Sequence, residues 1–214
     1  IYFENAEPIV KHSIFRRNEA FIEGAGLYQS SGSVSIEWTA FEHNNGYDYG
    51  GGIVSHQATL ELNQTTFAGN ISGFGSVMAL YSSVVTIKNS IFWSNEGTVV
   101  YSPASSGVTY LEANYSDIEG GQELFSQFSN IIFSTEGGII NQDPGFCFSY
   151  DSTYHLQETS MCQVASDTAG VIGAYHATCQ QLGLDNGNEL NNYTILQNYP
   201  NPFNPVTEIS YTLV

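Results

Sequence analysis

The sequence predicts an all-β chain wound as a parallel β-helix of about five coils of 25–26 residues. Three observations predict it. The phrase Phe-x-x-Asn recurs at Phe15/Asn18, Phe41/Asn44, Phe67/Asn70 and Phe92/Asn95, at spacings of 26, 26 and 25 residues. The alternating runs Val34-x-Ile36, Leu60-x-Leu62, Val85-x-Ile87 and Leu111-x-Ala113 keep the same register, as short strands with one buried face do. The composition is poor in helix formers and rich in Ser, Thr, Asn, Val and Ile, with 21 Gly.

Each unit reads the same way. A small hydroxyl (Ser13, Thr39, Thr65, Ser90) precedes each Phe by two residues. A degenerate fifth copy places Ser116 and Ile118 in those columns. After each Asn come small residues and a third apolar run, as in Gly24–Tyr28 and Gly50–Val54; Gly75–Tyr81 is looser. A unit therefore holds three short strands and has no room for a helix. It cannot bury its apolar side alone, so coils must stack, each strand about 4.8 Å from its equivalent. The Phe column then lies inside, and Asn18, Asn44, Asn70 and Asn95 form an amide ladder at one corner. An antiparallel sandwich would also show short strands, but not a shared register. The glycines at 50–52 are not a phosphate loop, since no Gly-Lys-Ser/Thr follows.

Phe-x-x-Asn followed by Gly-Gly-Ile-like runs resembles the right-handed parallel β-helix repeats of chlamydial polymorphic outer-membrane proteins and related bacterial surface proteins. The resemblance covers roughly residues 9–125 and implies a right-handed coil. From Tyr115 the pattern changes. Asp143-Pro-Gly-Phe146, Tyr154-His-Leu156, Ser160-Met-Cys162 and Ile172-Gly-Ala-Tyr175 resemble the terminal segment of secreted bacterial β-helix proteins, with Met161 in place of a proline. An open rod end invites edge-to-edge aggregation, so residues 119–176 are expected to cap it.

Cys147, Cys162 and Cys179 all fall in or just after this segment. Without Cys-x-x-Cys or ligand-spaced His, a zinc site is not expected. Clustering in a chain that resembles secreted β-helix proteins favours one disulfide. Cys147–Cys162, flanking a hairpin, is the first choice, and Cys162–Cys179 the second.

Residues 180–195 read as a polar linker. Tyr199, Pro200, Asn201, Pro202, Phe203, Asn204 and Pro205, with Thr207 and Ile209 beyond, resemble the opening of the C-terminal Ig-like sorting domain of type IX secretion cargo. Only its first strand would be present. The resemblance implies a truncated Ig-like β-sandwich start, export by the secretion machinery, and residence outside a Gram-negative cell or on its outer-membrane surface. The expected organisation is coils at 1–118, terminal coil and cap at 119–179, linker at 180–195 and sorting-domain strand at 196–214. The chain begins with Ile1 and reads as a piece of something longer.

Net charge is −17, from 21 acidic and 4 basic residues. Lys11, Arg16, Arg17 and Lys88 cannot neutralise a run of phosphates, which excludes nucleic acid and disfavours anionic membranes and polyuronates. No apolar stretch is long enough for a transmembrane helix.

Parallel β-helices host lyases and glycosidases, an argument by fold alone. Asp48 is the only Asp before Asp117, and Glu37, Glu42 and Glu61 share no column, so no catalytic residue is assigned. Lys88, in the column of Glu37 and Asn63, is expected outward in a surface ion pair; Arg16 and Arg17 are expected in solvent. The binding candidates are aromatic: Trp93, in the column of Arg16, Glu42 and Ala68 that is expected to face outward, and Tyr47 and Tyr49 before the Gly triplet. Such rings stack on sugars without needing charge, or pack on neighbouring coils. No cofactor is expected beyond a structural Ca²⁺. The expected function is a non-catalytic stalk or adhesin-like module, with a neutral glycan or surface protein as partner. The alternative is a polysaccharide lyase or glycoside hydrolase acting on these coils or upstream.

Overall fold

The structure, a computed structural model, describes residues 1–148, 154–167 and 170–175, together with the strands Thr194–Ile195 and Tyr211–Thr212. Two units compose it, residues 1–181 and 182–214. In the second, the two short strands pair antiparallel. The motif Tyr199–Pro205 lies outside the described residues.

The first unit is a parallel β-solenoid of about five turns. Strand Leu27–Glu42 pairs in parallel with Thr59–Ala68, placing Val34 opposite Leu60, Ile36 opposite Leu62 and Phe41 opposite Phe67. The next pairing sets Phe67 opposite Phe92, and the following one Phe92 opposite Ile118. The 26-residue register of the sequence is thus the hydrogen-bonding register of the sheet. Where copies are 25 residues apart, the missing residue falls on the glycine-rich side, at the bulge between Gly46 and Tyr49; across Gly97 to Val100 the offset shrinks further, from 25 to 22.

The chain turns at four corners per coil, most of them a single residue in the left-handed region; Gly24, Gly50 and Gly75 make one column, and three more recur beside it. The first of the three is Asn5, Ser31, Gln57 and Ser82. The second is His12, Trp38, Gln64, Asn89 and Tyr115. The third is Arg17, His43, Gly69 and Ser94. Most are not glycine, so each carries a steric cost that stacking of the coil must offset.

Phe41, Phe67 and Phe92 are fully buried, with Phe15 nearly so. Phe15 and Phe41 stack at 4.6 Å, as do Phe41 and Phe67, whose planes differ by 1°. Phe92 instead meets Phe67 edge-on at 81°. The glycine motif makes room for these rings: a Cβ on Gly52 would stand 2.8 Å from Phe67 Cδ1. At the third corner the amide ladder forms. Asn44 Oδ1 accepts from the backbone N and Nδ2 of Asn18, Asn70 Oδ1 from those of Asn44, and Asn95 Oδ1 from those of Asn70. Asn44 Nδ2 and Asn70 Nδ2 also donate to the carbonyls of Phe15 and Phe41. A buried amide with this many partners is satisfied rather than stranded. The hydroxyl column is linked as well, Thr65 Oγ1 donating to Ser90 Oγ at 2.9 Å.

The expected cap divides into two parts. The 3₁₀ turn Gly121–Gln127 and strand Ile131–Ser134 close the rod's end, the strand pairing in parallel with Thr109–Glu112 and Phe125 fully buried beneath it. The described residues between 140 and 175 do not cover the end. Of these, the described residues 140–148, 154–167 and 170–175 form a strap along the rod's flank, including the antiparallel pair Phe146–Phe148 with Tyr154–Leu156. Ala68 and Ile91 present apolar surface there, and the strap buries it.

Candidate binding site

The column of Arg16, Glu42, Ala68 and Trp93, expected in solvent, is largely covered by the strap. Glu42 and Ala68 are fully buried, and Arg16 is mostly so. The reason is electrostatic. Arg16 Nε and Nη2 each approach Glu42 Oε2 at 2.7 Å, and Tyr175 donates its phenol to Glu42 Oε1 at 2.6 Å. Both carboxylate oxygens are satisfied, so the ion can be buried. Burial and the neighbouring carboxylate push the Tyr175 phenol up. Arg16 is therefore an internal clamp rather than a solvent-facing charge.

Ile172-Gly-Ala-Tyr175 fastens the strap across several coils. Ile172 is buried among Ala68, Ile91 and Leu156. Gly173 N donates to Asn89 O at 2.7 Å, and Ala174 N to Thr66 Oγ1 at 2.8 Å. A Cβ on Gly173 would lie 2.6 Å from Ile91 Cδ1, and its φ is +93°, so only glycine fits. Tyr154 OH bonds His43 Nε2 at 3.1 Å.

Cys162 anchors the far end. It is a free, fully buried thiol donating to Asp117 Oδ2 at 3.2 Å. This overturns both expected pairings, Cys147–Cys162 and Cys162–Cys179. Cys147 is disulfide-bonded, with its partner outside the described residues. The hairpin flanked by Cys147 and Cys162 does form, but Cys162 turns into the apolar cluster against the rod. Burial pushes the Asp117 carboxyl up to about 6, against hydrogen bonds from Gln142 N and Cys162 that lower it.

Where strap and rod diverge, a cleft of about 300 Å³ opens. Trp93 lines one side, with Ser94; Asp143, Phe146, Tyr154 and Gln157 line the other. Trp93 is half-buried at the margin of the second apolar cluster, which fixes its ring. Ser94 N is held by Glu119 Oε2 at 2.7 Å. Asp143 and Gln157 are exposed. A fixed indole beside a carboxylate and an amide can hold an apolar ring face and hydrogen-bond its hydroxyl edge.

Tyr47 and Tyr49 are not part of this cleft. Tyr47 is exposed and stacks on Phe21 at 5.2 Å. Tyr49 packs against Phe74 and Tyr101, at 5.5 and 5.8 Å. The structure gives no ring contact from either to Trp93 among the described residues.

A second groove, about 320 Å³, crosses the outward face of the coils. Glu37, Glu61, Asn63 and Lys88 line it. Glu37 and Glu61 do lie in different columns, but the columns are adjacent and outward, so the groove joins them. Lys88 is outward, as expected; the ion pair of this face is Lys11 Nζ with Glu37 Oε2, at 2.9 Å. Among the described residues no group of three or more His, Cys, Asp or Glu side chains converges as a structural Ca²⁺ would require. No described helix is long and apolar enough to cross a membrane.

Asp143 and Gln157 are the cleft residues that sequence reasoning did not single out. Asp143 stood in the quoted Asp-Pro-Gly-Phe motif; nothing in the sequence marked Gln157. No family model, curated protein or solved structure matches the chain.

Proposed function

We propose that the chain is a non-catalytic, adhesin-like β-helix module that binds a neutral glycan in the Trp93 cleft. The observation that carries this is Trp93 lining, together with Asp143 and Gln157, a cleft large enough for one or two sugar rings. A net charge of −17 disfavours anionic chains and leaves neutral sugars as the fitting class. Export to the surface of a Gram-negative cell, by way of a C-terminal sorting domain, completes the proposal. It rests on the motif Tyr199–Pro205. The test is a neutral-oligosaccharide panel read by Trp fluorescence and calorimetry. Binding to at least one member, lost in Trp93→Ala and weakened in Gln157→Ala, is expected. Equal binding by wild type and Trp93→Ala would overturn the assignment.

A second reading is polysaccharide cleavage in the groove of Glu37, Glu61 and Lys88, two carboxylates beside one ammonium. Product release from the same panel, read by reducing ends and by absorbance of unsaturated uronates, decides it. Turnover abolished by Glu61→Gln would replace the non-catalytic reading; none is expected.

A further inference from the structure

A second set of rings, on another part of the rod, takes no part in the Trp93 cleft. Leu27, Ile53, Met78 and Val100 point into the core, so their chain neighbours Tyr28, Val54, Ala79 and Tyr101 point outward, and these four are register partners. His56 and Tyr81 form the next outward column. Val54 and Ala79 are nonetheless fully buried. A ridge in which Glu23, Tyr49 and Phe74 are register partners folds back toward them. A Cβ on Gly50 would clash with Val54 Cγ2, and Tyr49 meets Tyr81 edge-on at 6.5 Å and Tyr101 at 5.8 Å.

The rings hold one another in place. His56 stacks on Tyr81 at 4.1 Å and Tyr28 stands 5.4 Å from His56. Phe74 lies 5.5 Å from Tyr49 and 4.8 Å from Tyr101. Their faces are turned toward one another, which leaves edges and hydroxyls for a partner rather than a flat face for a sugar. The phenols of Tyr28, Tyr49, Tyr81 and Tyr101 make no hydrogen bond among the described residues. Glu23 stands in their midst. Its Oε2 is 3.4 Å from His56 Nε2, a buried nitrogen without a hydrogen bond, and its carboxylate accepts none among the described residues. Burial, and then the Glu23 carboxylate, push the Tyr28 and Tyr81 phenols up.

Charge is segregated between the flanks. Lys11, Arg16 and Lys88 lie on strands that pair with the later half of Leu27–Glu42 or with Thr59–Ala68, and Arg17 follows Arg16. The stretches 19–28, 45–56, 71–81 and 96–101, which build the aromatic flank, hold Glu19, Glu23, Asp48 and Glu96 and no Lys or Arg.

We infer that this flank is a docking surface for a basic protein segment whose arginine side chains reach Glu23 and the phenol oxygens of Tyr49 and Tyr81. A guanidinium is a planar fork of donors, and it meets here a carboxylate and hydroxyls with acceptor capacity to spare. Ile71 and Phe74, 43% and 44% exposed, offer apolar contact to the arginine stems. Rings already fixed by stacking lose little entropy when a partner arrives. A second copy is a poor occupant: each chain carries −17, and its Lys11 and Arg16 are already paired with Glu37 and Glu42.

The probe is a labelled octapeptide of alternating Arg and Ser, titrated into the full chain at about 0.15 M salt, where distant exposed charges are screened, and followed by fluorescence anisotropy. Saturable binding is expected. The same peptide with citrulline for arginine, planar but uncharged, should not bind. Glu23→Gln should weaken binding about tenfold, and Tyr49→Phe combined with Tyr81→Phe about as much, since hydrogen bonds to a charged group are lost. The double variant keeps both rings and removes hydroxyls that bond nothing described in the chain, so its melting temperature should match wild type. Glu123→Gln removes the same charge from an exposed site in the turn Gly121–Gln127 and should leave binding unchanged. Absence of saturable binding, equal loss in Glu23→Gln and Glu123→Gln, or undiminished binding of the citrulline peptide would overturn the inference. So would a homodimer in sedimentation that Glu23→Gln dissociates, which would assign the flank to a second copy.

Discussion

The Tyr175 phenol donates to Glu42 Oε1 at 2.6 Å across 133 residues of sequence. One contact thus ties the last described residue of the strap to the second coil. On the other side of the same carboxylate, Arg16 reaches it from the first coil.

Tyr175→Phe removes that donor and leaves the ring. A hydrogen bond to a charged group contributes about 1.5–3 kcal/mol, so the melting temperature should drop by several degrees and strap cleavage in limited proteolysis should accelerate. Glu42→Ala removes the carboxylate that faces the mostly buried Arg16 guanidinium and accepts from Tyr175, and should cost more than Tyr175→Phe. Unchanged melting and proteolysis in Tyr175→Phe would show that the strap is held without this bond.

Phe67 lies between Phe41 and Phe92, with no exposed surface. Coils above and below are fixed by main-chain ladders and cannot collapse into the space left by Phe67→Ala. A loss of about 3–5 kcal/mol is expected in chemical denaturation. A midpoint close to wild type would contradict the interior stack.

Asp117 gives a pH dependence of defined sign. Its folded-state value, about 6, stands above the ordinary 3.8, so the folded chain holds this proton more tightly than the unfolded one. The stabilisation is complete below about pH 3.8, declines as pH rises and is gone above about pH 6. Asp117→Asn cannot ionise. The difference in melting temperature, wild type minus Asp117→Asn, should therefore fall across that interval and stay level above it. A difference that rises with pH would mean that Asp117 is ionised in the fold at lower pH than its burial implies.

Cys162 is buried, and its thiol is pushed up by that burial and by the Asp117 carboxylate. A thiol of this kind reacts slowly. Iodoacetamide at pH 8 should leave Cys162 unmodified in the folded chain and label it in urea, as read by peptide mass. Rapid labelling under native conditions would place the thiol in solvent.

The coil was legible because stacking converts sequence period into contact. Phe15, Phe41, Phe67 and Phe92 occupy one column both in the sequence and inside the rod, and the asparagines follow them. The edge-on geometry of Phe92 against Phe67 was not legible, since column register fixes which rings meet and not how they tilt. Nor were the corners. His12, Trp38, Gln64, Asn89 and Tyr115 share a left-handed conformation but no chemistry, because backbone geometry alone selects the position. The site was legible only in part. Trp93 stood out as an aromatic in a column of polar and small residues. That this column would be roofed over depended on the strap, and the strap's path is set by contacts such as Cys162–Asp117 and Tyr175–Glu42, between residues distant in sequence. The disulfide expectation failed for the same reason: spacing favoured Cys162 as a partner, while burial beside Asp117 gave it a different role.

The strap also changes how the rod should come apart. In a stack of repeats each unit touches only its neighbours, so stability is a sum of local terms and the array can fray unit by unit. Here one segment bonds Glu42, Thr66, Asn89 and Asp117, which belong to four successive coils. None of those coils can open without loosening the segment from the other three. Cooperativity in this rod is thus long-ranged, and the four coils behave as one unfolding unit, visible as a single block of amide protons exchanging at a common rate.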